Sequence, residues 1–137
     1  MNDLGRSDDP ALLLDTHAFA WLAAAPDLLG ERARDAIERA GSIAYSTASL
    51  YEIGFKVHRG RWDSMRPVLP TLPERARRSG IGQVEVSAEI LSEAARLDWD
   101  HGDPFDRILS ATATLRGEIL VTRDRSLHES PFVATIW

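Results

Sequence analysis

Five acidic side chains in this sequence stand against apolar runs rather than within its polar stretches. Asp15 follows ALLL, Glu52 lies in STASLYEIGF, Asp103 and Asp106 lie in HGDPFDRILS, and Asp124 follows ILVTR. Carboxylates brought close together repel one another and raise each other's pKa unless a cation lies between them. If the fold gathers these acids at one edge, the chemistry they offer is that of a hard divalent cation held by oxygen. Each also has a plainer reading. Asp15 can cap the helix that follows it, and Asp103, standing before Pro104, can do the same for its own helix. Glu52 suits the first turns of a helix, Asp106 can complete a capping box, and Asp124 suits a turn.

The elements that must position these acids alternate along the chain. Leu12 to Leu14 read as a short buried strand, and His17 to Ala25 favour a helix before Pro26. Residues 31–40 form a polar helix ending at Gly41, and Ser42 to Tyr45 a second strand. Ser46 or Thr47 caps a helix running to about His58, with Leu50, Ile53, Gly54 and Val57 on one face. Met65 to Ser79 read as a helix interrupted by Pro67, Pro70 and Pro73, or as two shorter pieces. Gln83 to Val86 make a third strand, and Ser87 caps the next helix. Another helix starts at Pro104 and ends at Gly117, with Phe105, Ile108, Leu109 and Thr112 on its inward stripe. Glu118 to Val121 are a fourth strand, and Phe132 to Ile136 a short fifth.

Continuous apolar strands alternating with helices indicate an α/β fold, a parallel sheet of four to five strands with helices on both faces. Residues 1–10 read as a flexible tail and residues 11–137 as a single domain. Ligands of such sheets collect beyond the carboxyl ends of the strands, where strand order reverses. The positions after each strand are where the acids stand.

Composition narrows the possibilities. Hydrophobic residues make up 44% and charged residues 27%, the profile of a folded globular chain. With no cysteine, disulfides, thiolate metal sites and thiol nucleophiles are excluded. The N-terminus lacks a basic leader, and no apolar run approaches membrane-spanning length, so a cytoplasmic protein with no membrane partner is expected. A net charge of -5 argues against coating nucleic acid through bulk attraction, though a nuclease reaching phosphate through a cation is compatible with it. Lys56 is the only lysine, so any role needing an amine falls on it.

LLLDTHAFAWL, STASLYEIGFKV, HGDPFDRILSATA and LVTRD, in this order and spacing, resemble the PIN-domain ribonucleases, specifically the VapC-like toxins of bacterial toxin-antitoxin pairs. The resemblance spans residue 12 to about 136 and implies a PIN-like three-layer α/β/α domain. It places the family's acids on Asp15, Glu52, Asp106 and Asp124, with Asp103 beside them as a further possible ligand. It implies magnesium, or manganese, bound by Asp15, Asp106 and Asp124, with Glu52 orienting or deprotonating the attacking water. RNA would be cut to 5′-phosphate and 3′-hydroxyl ends. It further implies a cognate antitoxin and a homodimer, with heterotetramers or larger assemblies forming alongside the antitoxin.

Around these acids, Thr16, Ser46 and Thr122 can supply supporting hydrogen bonds or serve as caps and turn residues. Lys56, one helical turn after Glu52, suits either an ion pair or a phosphate contact. Arg107, Arg123 and Arg125 are candidates for RNA contact. His17 and His101 are not read as ligands, because magnesium favours oxygen, and Trp21 and Trp62 read as core or interface aromatics. Two other classes compete. A phosphatase forming an aspartyl phosphate normally needs a second Asp where this chain has His17. A catalytically weak PIN-like module that binds RNA or protein would have no need of the full acid set.

Overall fold

In the computed structural model, which describes residues 9–137, a parallel five-stranded sheet runs in the order β3-β2-β1-β4-β5. The strands are β1 (Ala11–Leu14), β2 (Ser42–Ser46), β3 (Gly82–Val84), β4 (Ile119–Val121) and β5 (Thr135–Ile136). Leu13 is paired with Ala44 on one side and with Leu120 on the other, which makes β1 the central strand. Most of the expected tail, residues 1–8, lies outside the described residues.

Helices cover both faces, as strands apolar on both sides require. Leu12, Leu14, Tyr45 and Val121 pack beneath α1 (Thr16–Ala24), α2 (Glu31–Arg39), α3 (Thr47–His58) and α4 (Leu72–Arg78). Leu13, Ala44, Val84 and Leu120 face α5 (Ala88–Arg96), α6 (Pro104–Arg116) and α7 (Arg125–His128). This is the expected three-layer arrangement. The first core is centred on Phe19 and Tyr45, whose rings stack with centroids 4.0 Å apart, and the Tyr45 hydroxyl donates to Gln83 Oε1 at 2.6 Å. Among the described residues, no helix is long and apolar enough to cross a membrane.

Several boundaries differ from the sequence expectation, each for a local reason. The 65–79 region divides into 3-10 turns at Asp63–Met65 and Leu69–Thr71, followed by α4, which carries Pro73 in its first turn. β3 ends at Val84, and two residues later the Val86 amide donates to Thr47 Oγ1 at 3.2 Å, at the start of α3. β4 begins one residue later than expected because the Glu118 amide closes α6, donating to the Ala113 carbonyl. Just before it, Gly117 takes the left-handed conformation, φ 67°, that a helix ending here needs. The TRDRS stretch, read as a turn, leads into the short helix α7.

Candidate active site

The crevice where strand order reverses lies between β1 and β4, both of which end in residues that can donate or accept there. Asp15 follows β1 directly, its amide donating to the Val121 carbonyl at 3.0 Å, so its place is set by sheet pairing. Its side chain is 6% exposed. Oδ1 accepts from the Ala18 amide at 2.7 Å, and Oδ2 accepts from Thr122 Oγ1 at 2.5 Å. Asp15 is therefore both the cap of α1 and a wall of the crevice.

Thr122 links two acids across β4. Its hydroxyl donates to Asp15 and accepts from the Asp124 amide at 3.0 Å. Asp124 in turn caps α7, with Oδ1 accepting from the Leu127 amide at 3.2 Å. From the other side, α3 brings Glu52 into the crevice, 7% exposed. Glu52 Oε1 accepts from Thr16 Oγ1 at 2.5 Å and Oε2 pairs with Lys56 Nζ at 3.1 Å. Since Thr16 has one hydroxyl proton and gives it to Glu52, Ser49 donates to Thr16 at 2.9 Å.

The third wall comes from α6. Asp103 caps it, Oδ1 accepting from the Phe105 and Asp106 amides at 2.8 and 3.2 Å. Asp106 is left to face the crevice, and its Oδ2 lies 2.7 Å from His101 Nε2. Asp15, Glu52, Asp103, Asp106 and Asp124 line one cavity of about 180 Å³, with Thr16, His17, Lys56, Leu109 and Arg123 completing the wall.

The electrostatics follow from this crowding. Burial pushes the Asp15 carboxyl up to about 6, against hydrogen bonds from Thr122 and Ala18 that favour its charged form, and Glu52 and Asp124 add to the rise. Burial also pushes Asp106 up to about 6, opposed by the His101 hydrogen bond and reinforced by the Asp103 and Asp124 charges. His17 is moved down, first by burial and then by Lys56. Its ring stacks on Trp62 with centroids 4.6 Å apart and meets Trp21 edge-on, so it serves as packing.

The donor set suits a divalent cation. Asp15 and Asp106 are carboxyls with charges penalised by burial and by neighbouring acids, and a cation in the cavity would relieve both. Near this cavity, His101, Asp103 and Asp106 bring one ring nitrogen and two carboxylate oxygens within 4.8 Å of one another. Asp15 and Asp124 face them from the β1–β4 side.

The other expected residues have varied surroundings. The guanidinium of Arg107, a candidate for RNA contact, is occupied by four main-chain carbonyls: Ala94 (3.0 Å), Leu97 (2.7 Å), Trp99 (2.7 Å) and His101 (3.0 Å). Ser46 caps α3 through the Ala48 amide at 3.1 Å and is fully buried, outside the cavity wall. Arg125 is exposed and pairs with Glu129 at 2.8 Å. Arg123 does line the cavity, its guanidinium 4.7 Å over the Trp21 ring. His101, not expected as a ligand because magnesium favours oxygen, lies with its Nε2 2.7 Å from Asp106 Oδ2. The signal in the sequence was a histidine just ahead of the Asp-Pro cap, where the turn into α6 folds it back onto the first helical turn.

Known proteins resemble this chain in sequence and in fold. The PIN domain family model matches residues 12–133. Ribonuclease VapC22 of Mycobacterium tuberculosis is 34% identical over 129 residues, covering 92% of this chain and 98% of that protein. In fold, the chain resembles a structure of VapBC2 from Rickettsia felis bound to a promoter DNA fragment, with TM-score 0.64 at 15% identity, covering 92% of this chain and 97% of the other. It also resembles a toxin-antitoxin complex from Klebsiella pneumoniae, with TM-score 0.57 at 22% identity, covering 90% and 96%.

Proposed function

The chain belongs to the PIN-domain family, and from that premise we propose that it is a magnesium- or manganese-dependent endoribonuclease, the toxin of a toxin-antitoxin pair. The observation that carries this reading is the convergence of Asp15, Glu52, Asp106 and Asp124 on one cavity at the β1–β4 crevice. The kinship with a ribonuclease over 92% of the chain supports the substrate class.

Asp15, Asp106 and Asp124 would hold the cation, with Asp103 and His101 at its edge. When bound, the ion supplies an acidified water and neutralises charge developing on the phosphate. The chain's own part is to aim the groups. Thr122 fixes Asp15 through one oxygen and the Asp124 main chain through the other side of its hydroxyl. Each Glu52 oxygen takes one partner, Thr16 or Lys56, and keeps a lone pair free to orient the water. A water so oriented would attack phosphorus in line and the 3′ oxygen would leave with a proton, giving a 5′-phosphate on one fragment and a 3′-hydroxyl on the other. Lys56 and Arg123, the two cations in the wall, are placed to hold the phosphate that enters an otherwise acidic cavity.

A homodimer and an antitoxin that blocks the cavity complete the proposal. The experiment is cleavage of RNA by the purified chain with magnesium or manganese, against the same protein carrying Asp15→Asn. Loss of cleavage in the variant and in chelator is expected; a variant as active as the parent would refute the reading.

A further inference from the structure

The loop 97–103 between α5 and α6 contains no helix or strand, yet it delivers His101 and Asp103 to the edge of the acid cavity. Something other than a backbone ladder must hold it. Its carbonyls at Leu97, Trp99 and His101, and the Ala94 carbonyl of α5, all point at one guanidinium. Arg107 donates from Nε to Ala94, from Nη2 to Leu97, and from Nη1 to both Trp99 and His101. Four of its five N–H donors are thus spent on a single stretch of main chain.

The neighbouring charges make this choice of partners informative. Arg107 follows Asp106 and stands four residues after Asp103, but among the described residues it forms no ion pair with either. Its charge is answered by carbonyl dipoles, and Asp106 is left to His101 at 2.7 Å and to the cavity. A guanidinium turned toward Asp106 would compete with any cation there.

We propose that Arg107 is a positioning residue for the cation site: by binding four carbonyls it fixes the α5–α6 loop so that His101 holds Asp106 in its cation-facing orientation. This rests on the proposed metal-dependent reading of the cavity. A lysine can neither fork nor reach all four carbonyls from a single nitrogen, so Arg107→Lys preserves charge while removing the brace.

The test is titration of the metal-free full-length protein with Mn²⁺, by calorimetry, for the parent, Arg107→Lys and His101→Ala. Both variants are expected to bind Mn²⁺ about 10- to 100-fold more weakly, the usual effect of losing a group that orients a ligand. RNA cleavage by Arg107→Lys should be depressed at low Mn²⁺ and recover at high Mn²⁺, which general destabilisation would not produce. An Arg107→Lys protein that is less heat-stable yet binds Mn²⁺ like the parent would overturn the proposal. Should the variant not fold, the parent decides: backbone order parameters across residues 98–102 near ~0.85 are expected, and values below ~0.6 overturn the brace. A parent chain that binds no Mn²⁺ and cuts no RNA would instead defeat the functional reading on which the proposal rests.

Discussion

Replacing Asp15 with asparagine should make the metal-free protein more stable while it abolishes cleavage. Asp15 is nearly fully buried, and its carboxyl is raised from 3.8 to about 6. At 1.36 kcal/mol per pH unit, that shift places roughly 3 kcal/mol of penalty on the charged form in the folded state. Asparagine removes the charge and still caps α1 through its carbonyl oxygen. Its amide nitrogen faces the Thr122 hydroxyl, which must turn its proton elsewhere, giving back about 1 kcal/mol or somewhat more. The net gain is about 1–2 kcal/mol. With an unfolding entropy of ~2.1 cal/mol/K per residue, a chain this long converts that gain into a rise in Tm of about 3–7 °C.

The pH dependence carries its own sign. Because the folded pKa is raised, the penalty is absent below the unfolded value near 3.8 and grows as pH rises through about 6. The advantage of Asp15→Asn should therefore be full at about pH 8 and lost by about pH 4, where the unmet Thr122 hydrogen bond leaves the variant slightly less stable than the parent. Differential scanning calorimetry in chelator at both pH values reads this directly. A variant less stable than the parent at the higher pH, or one with the same advantage at both, would refute the burial argument. Adding Mn²⁺ should reverse the order, stabilising the parent and leaving the variant unchanged.

Other outcomes follow from the same geometry. Mn²⁺ affinity of the parent should be full above about pH 7 and weaken by roughly 10- to 100-fold by about pH 5, as protons on Asp15 and Asp106 compete; a flat calorimetric profile would contradict this. Thr122→Val strips Asp15 of a donor and the Asp124 amide of its acceptor. It should lower stability by about 1–3 kcal/mol in urea unfolding and cleavage by about 10- to 100-fold, whereas Ser46→Gly, at a cap, should lose only a few tenths of a kcal/mol. Phe19→Ala, which removes the partner of the Tyr45 ring, should destabilise by about 3–5 kcal/mol.

The nearness of Asp15 and Asp124 was legible because each comes after an apolar run that forms a strand. Asp15 follows β1 and Asp124 lies just beyond β4, and parallel pairing of those strands brings both to the same edge whatever the intervening loops do. The caps at Ser46, Ser87 and Asp103 were legible for a similar reason, since a helix start leaves amides that only nearby side chains can reach. The role of Arg107 was not. Nothing in a lone arginine beside an aspartate says that its partners are four carbonyls of an irregular loop, because those contacts depend on the path of the backbone. The 65–79 region was obscured for another reason: Pro67, Pro70 and Pro73 are compatible with several successions of short turns, and packing selects among them.

The Thr122–Asp15 hydrogen bond joins positions 107 residues apart, and the central strand finds β4, its second neighbour, only when residues 119–121 exist. During synthesis, β1 can pair with β2 early, but the crevice has one wall missing until β4 and Asp124 have been made. Asp15 then lacks its Thr122 donor, Asp124 is absent, and β1 has one unpaired edge. Chains that stop before β4 should therefore carry no assembled cavity. Assembly of the cavity thus waits for β4 and Asp124, a form of timing that comes from strand order alone.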